Sequence, residues 1–459
     1  MGATTDFSGC ETTLPPEAIP HWNATVKGFL AHAAATPEHL GRVFETAPEF
    51  AQASAIKGLF CLLLGRSELV DTARDCAIQA ARLAADSPPN AREQVYLDAL
   101  TDWLGGKPSS AAARFEALLQ DHPQDALAMK LVQAIRFILG QPQLMRRSIE
   151  EILPAWSDHP ALGYLKGCHA FALEETGEYA AGERAGREGL LLAPDDAWGL
   201  HAVAHVYDMT GRAADGLFWL SEQTSAWEHC NNFRYHVWWH IALMHLDLGQ
   251  IDEVFALYDQ EIRKDRTDDY RDISNAASLL SRREIEGVDV GDRWDELATI
   301  AMARTGDGSL VFADLHYMLG LIGGNRSGAI KTMLARMSRD AARFETEVDR
   351  LMETPGLSAA NGLEAYGEGR YAEAYVNLAS VRPDMQKIGG SHAQRDVFER
   401  LTIEAALRGG MLDSAERLLS ERTQARGGAE DGYTGRRLAA IDAARRQVRV
   451  TSDGSGCIA

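Results

Sequence analysis

The chain lacks any close pair of cysteines. Cys10, Cys61, Cys76, Cys168, Cys230 and Cys457 never form a C-x-x-C, so neither a disulfide framework nor a thiolate zinc site is encoded, and a reducing cytoplasm is the expected compartment. Long apolar runs are missing too: the longest, LFCLLL at 59–64, is far too short to span a bilayer, and Asp6, Glu11 and Pro15-Pro16 interrupt the stretch a signal peptide would need. Position 6 is Asp where an acylation site needs Ser or Thr, and Cys457 is third from the end where prenylation needs fourth. Basic residues are scarce: 46 against 66 acidic leaves a net charge of −20, a field that repels phosphate backbones and anionic lipid, so neither nucleic acid nor membrane is expected as a partner. Common enzyme signatures are absent: GGKPSS at 105–110 lacks P-loop spacing, and no G-x-S-x-G, G-x-G-x-x-G or EF-hand pattern occurs.

What is present is ordinary globular composition, 46% apolar and 24% charged, over 459 residues, enough for several domains or one long repeat array. The array is the better reading. Apolar helical segments end in Gly65, Gly106, Gly140, Gly177, Gly211, Gly249, Gly324, Gly369 and Gly410, at intervals of 41, 34, 37, 34, 38, 75, 45 and 41. Five residues later stand Val70, Ala111, Met145, Gly182, Gly216, Val254, Ala329, Ala374 and Ala415, six of them Gly or Ala. A glycine in left-handed conformation closes one helix, and a small residue lets the next pack closely against it. Alternating β patterns are absent. These features predict an all-α chain: an α-solenoid of tetratricopeptide-like hairpins, a right-handed superhelix with a concave groove. Residues 1–423 are expected to form it, with 424–450 as a loop and terminal helix packed on it and 451–459 as a disordered tail; 285–309 reads as an aberrant unit.

Seven of the fourteen histidines fall between His169 and His245. HAVAHVYD (201–208) and HVWWHIALMHLD (236–247) each precede an anchor glycine, which places them on the first helices of neighbouring repeats. At about 100° per residue, His201, His205 and Asp208 share one helical stripe, as do His236, His240 and Asp247, while His245 faces away as an expected core histidine. Distances back from the glycines place His201, His205 and His240 nearly level, with His236 one turn further along. Three chemistries fit. An i,i+4 histidine pair offers two nitrogens to one divalent metal such as zinc, and the neighbouring helix supplies a third from His240. Without metal, Asp208 or Asp247 would orient an imidazole as general base. Alternatively the rings form a hydrogen-bonded ladder between repeats. No zincin glutamate intervenes, so peptidase chemistry is not implied. Trp198, Trp227, Trp238 and Trp239 surround the stripe, Trp239 flanking it and Trp238 turned away, and Arg234 is a candidate anchor for a carboxylate or phosphate.

Six segments together, FALEETGEY (171–179), HAVAHVYDMTGR (201–212), FRYHVWWHIALMHLDLG (233–249), IEGVDVGDRW (285–294), FADLHYMLG (312–320) and GGSHAQRDVFER (389–400), resemble the tetratricopeptide repeat protein 38 family. The resemblance implies a cytosolic, curved α-solenoid. It carries His201, His205, His236, His240, His316, His392, Gln394 and Arg395 onto family motif positions, without implying a known reaction. Asp208 departs from the glutamate expected there. SHAQRD (391–396) mixes groups suited to polar recognition, although Ser391 equally suits a helix N-cap.

The resulting expectation is a groove whose pocket of His201, His205, Asp208, His236 and His240 binds a small polar or acidic molecule, with hydrolysis as the reaction if it is catalytic. Trp239, Arg234, His316, His392, Gln394 and Arg395 would contact that molecule. The alternative is a protein-interaction scaffold receiving a partner in the groove, with structural histidines. A deep closed pocket favours the first, an open groove the second.

Overall fold

The computed structural model describes residues 4–454. Its regular structure is helical, and among the described residues the β contacts given are two isolated bridges, Thr5–Glu11 and Ala33–Cys230. Antiparallel hairpins follow one another from Ala51–Leu63 with Ser67–Asp86 to His392–Arg408 with Leu412–Ala425. The chain is a tetratricopeptide-like α-solenoid. Gly432–Gly454 forms a terminal helix; of the tail expected to be disordered, 451–454 belong to this helix and 455–459 lie outside the described residues. No described helix is long and apolar enough to cross a membrane.

Eight of the nine anchor glycines have positive φ, including Gly177 at 86° and Gly211 at 68°, where a side chain would strain the backbone. The exception is Gly324 at φ −84°; its neighbour Asn325, at 56°, takes the left-handed position instead. The expected aberrant unit is an ordinary hairpin: Tyr270–Ile285 ends before Gly287, φ 77°, and Arg293–Ala303 returns. Gly287 splits the interval of 75 residues, and the pattern hid it because a charged residue, Asp292, lies five positions on, where every other anchor is followed by an apolar residue or glycine.

The two helices of a hairpin differ in burial. Tyr270–Ile285, a first helix, buries 14 of its 16 residues, whereas Tyr179–Leu192, a second helix, buries only Gly182, Gly186 and Gly189. The inner row is buried because the solenoid meets itself. Arg66 and Arg304 bracket Asp268, Gly106 O accepts from Glu347 N at 3.0 Å, and Tyr179 Oη donates to Ala425 O at 2.6 Å. A Cβ on Gly140 would stand 1.8 Å from Gln386 O, so these two backbones touch. The concave groove expected from the repeats is therefore occupied by the facing repeats, and the histidine stripe lies in their interior.

Candidate functional site

His201 and His205 project from Ala197–Met209, and His236 and His240 from Phe233–Asp247. The i,i+4 spacing puts each pair on one stripe, and the adjacent first helices turn the stripes toward each other. All four rings meet through the same atom. His201 Nε2 lies 2.8 Å from His205 Nε2 and 2.9 Å from His236 Nε2, and His236 Nε2 lies 3.2 Å from His240 Nε2. His236, expected one turn away, is a full member of the cluster. The rings are buried, with exposures of 1%, 0%, 8% and 0% in chain order.

Burial, reinforced by the neighbouring imidazoles, pulls His201 and His240 well below the ordinary histidine range. His236 is lowered to about 3, again mainly by burial. These rings are neutral near pH 7. The far nitrogens of two rings face acceptors: His236 Nδ1 is 2.9 Å from Asn275 Oδ1, and His205 Nδ1 is 3.4 Å from Glu174 Oε2. Trp239 stacks on His236 at 5.2 Å, and the Arg282 guanidinium lies 5.6 Å over the Trp239 ring.

Glu174, fully buried on Leu162–Glu175, is the acid that spacing along one helix does not reveal. It lies in FALEETGEY, the segment that carried the family resemblance, which was the available signal. His392 Nε2 is 2.5 Å from Glu174 Oε1, and His392 Nδ1 is 3.3 Å from Glu175 Oε1. Burial pulls His392 down, but Glu174 and Glu175 outweigh it and push this imidazole up to about 9. Burial likewise opposes ionisation of Glu174, yet His392 and His205 hold it down at about 2. A cationic imidazole thus closes onto a carboxylate that itself faces the cluster.

Other expected site residues are engaged elsewhere. Asp208 pairs with Arg426 at 3.2 Å, and Asp247 accepts from Gly432 N at 2.7 Å, so neither orients an imidazole. Arg234 binds Asp265 at 3.0 Å and Tyr235. His316 is buried between Phe312 and Phe398, its Nδ1 donating to Phe312 O at 2.7 Å. Gln394 completes a capping box with Ser391, and Arg395 spans Gly389 O, Gly390 O and Glu175, so SHAQRD serves mainly as a helix start. His245 is not a core residue; it is half-buried against Gln250.

Neither of two cavities lined by described residues opens on the four imidazoles. A space of about 10 Å³ beside Asp208, Asp247, Arg282 and Asp396 holds one water at most. A cleft of about 510 Å³ lies against Gln143, Arg146, Arg147, Glu150, Glu151 and Thr176, none of them a cluster residue.

No family model matches the chain. Two solved structures of the human IFIT1 dimer, one with m7Gppp-AAAA and one with PPP-AAAA, align over 92% of this chain and 99% of theirs at 13% identity, with TM-scores of 0.38 and 0.39. The expectation of no nucleic-acid partner, which rested on net charge alone, is withdrawn: both of these structures are complexes with m7Gppp-AAAA or PPP-AAAA. At this level of similarity no ligand passes from one chain to the other. What stands on the hairpins themselves is the architecture, a tetratricopeptide-like α-solenoid.

Proposed function

We propose that the chain is a tetratricopeptide-like binding scaffold whose buried histidines are structural, not a hydrolase with a histidine pocket. One observation carries the reading: the four imidazoles are buried and packed ring against ring, and none of them lines either the space of about 10 Å³ or the cleft of about 510 Å³, whereas a small-molecule site would put its functional side chains on a cavity of roughly 300–1,000 Å³. We assign the chain to the tetratricopeptide repeat protein 38 family on its six motifs and place it in the cytoplasm, where free cysteines such as Cys168 and Cys230 stay reduced. Residues 1–423 are the scaffold, and 424–450 cap it.

A second reading keeps the small polar or acidic ligand, enclosed in the interior. It is favoured by buried donors without partners, Trp239 Nε1, Asn275 Nδ2 and Arg282 Nε, which an acidic molecule would satisfy. His205→Ala and His240→Ala separate the two. A scaffold predicts a lower melting temperature for both, with the folded fraction still capturing whatever the parent captures from lysate. Stable variants that have lost a small molecule seen in the parent by native mass spectrometry would overturn it.

A further inference from the structure

The scaffold reading leaves open why imidazoles, and not apolar side chains, fill the centre of two buried helices. Their protons restrict the answer. His236 Nδ1 faces Asn275 Oδ1 at 2.9 Å and His205 Nδ1 lies 3.4 Å from the Glu174 carboxylate, so the Nε2 atoms of both rings are the ones turned into the cluster. Both lie against His201 Nε2, at 2.9 and 2.8 Å, and one ring nitrogen carries at most one proton to share between two neighbours. His240 Nε2 lies 3.2 Å from His236 Nε2. Three contacts along one file of four ring nitrogens admit at most two N–H···N bonds, so a hydrogen-bonded ladder leaves one close contact unmade.

A cation at the centre resolves this. Metal–nitrogen bonds of 2.0–2.1 Å in a tetrahedron set nitrogens about 3.3–3.4 Å apart, and the observed contacts need a few tenths of an ångström of side-chain adjustment to reach it. One ligand atom from each of the four lies within 4.8 Å of every other. Asn275 and Glu174 stand where groups that orient metal-bound histidines belong, and Glu174 brings negative charge to a neutral ligand set. We propose that His201, His205, His236 and His240 hold one divalent transition-metal ion of the zinc class through their Nε2 atoms, as a closed four-nitrogen centre that staples Ala197–Met209 to Phe233–Asp247. With four protein ligands and no exposed side, the centre is structural; a catalytic site keeps a position for water. The inference extends the scaffold reading by naming what joins the helices, and that reading survives without it.

The test uses the full chain purified without a polyhistidine tag. Elemental analysis is expected to find one zinc-class ion per chain. Chelator-stripped protein titrated with Co²⁺ should take up one equivalent, develop the visible absorption of tetrahedral cobalt and lose it to Zn²⁺. His201→Ala combined with His240→Ala should abolish the signal. Should that variant fail to fold, Asn275→Leu keeps all four ligands and is expected to weaken Zn²⁺ affinity by about 10–100-fold at unchanged helical circular dichroism. A stripped, folded chain that binds neither Co²⁺ nor Zn²⁺, or stoichiometric binding that is unaltered in both variants, overturns the proposal.

Discussion

Gly167→Ala is the smallest change that should reach the histidine cluster from outside it. Gly167 lies on Leu162–Glu175 two turns before Glu174, where this helix crosses Ala197–Met209. A Cβ there would stand 1.8 Å from Asp196 Oδ2 and 2.9 Å from Gly199 Cα. Ordinary carbon–carbon contact needs about 3.5–4.0 Å, and one of the two obstacles is backbone, so the helices must part by on the order of 1 Å. Overpacking of this kind costs about 1–3 kcal/mol. The same displacement draws Glu174 away from His205 Nδ1, now at 3.4 Å, so metal affinity should fall with stability. Thermal unfolding followed by circular dichroism reads the first effect and Co²⁺ titration the second. If Gly167→Ala melts with the parent, the close approach of these helices is refuted.

Two further outcomes follow from burial. Burial raises the Asp196 carboxyl to about 7, so the folded chain holds a proton there that the unfolded chain releases near 4; parental stability should fall as pH rises from about 4 to 7. Asp196→Asn removes that slope, and its advantage in melting temperature over the parent should grow across the same range; a constant difference contradicts it. His205→Ala and His240→Ala each leave buried partners unsatisfied, at a cost of about 1–3 kcal/mol, visible as a lower melting temperature at pH 7.

Much of this was legible in local spacing. Helical periodicity, closing glycines and the i,i+4 histidine pairs are short-range features, and they place the hairpins and the imidazole stripes correctly. Gly287 escaped because the charged Asp292 stands where the other anchors are followed by an apolar residue or glycine, and Asn325 replaced Gly324 because asparagine also tolerates left-handed geometry. Partners across the fold were not legible. Asp208 shares the stripe of His201 in a lone helix, but closure of the solenoid gives it Arg426 and gives His205 the distant Glu174. The same closure turns an expected open groove into interior, and nothing in repeat spacing encodes how far a superhelix winds before it meets itself.

That closure is what buries the histidines, so overall size tests the account most directly. A compact chain of 459 residues has a radius of gyration of about 23 Å by the usual scaling. Small-angle X-ray scattering of the monomer should return a value close to that. A radius of roughly 30 Å or more would mean an open superhelix with its inner helices in water, and would contradict both the buried cluster and the scaffold reading built on it.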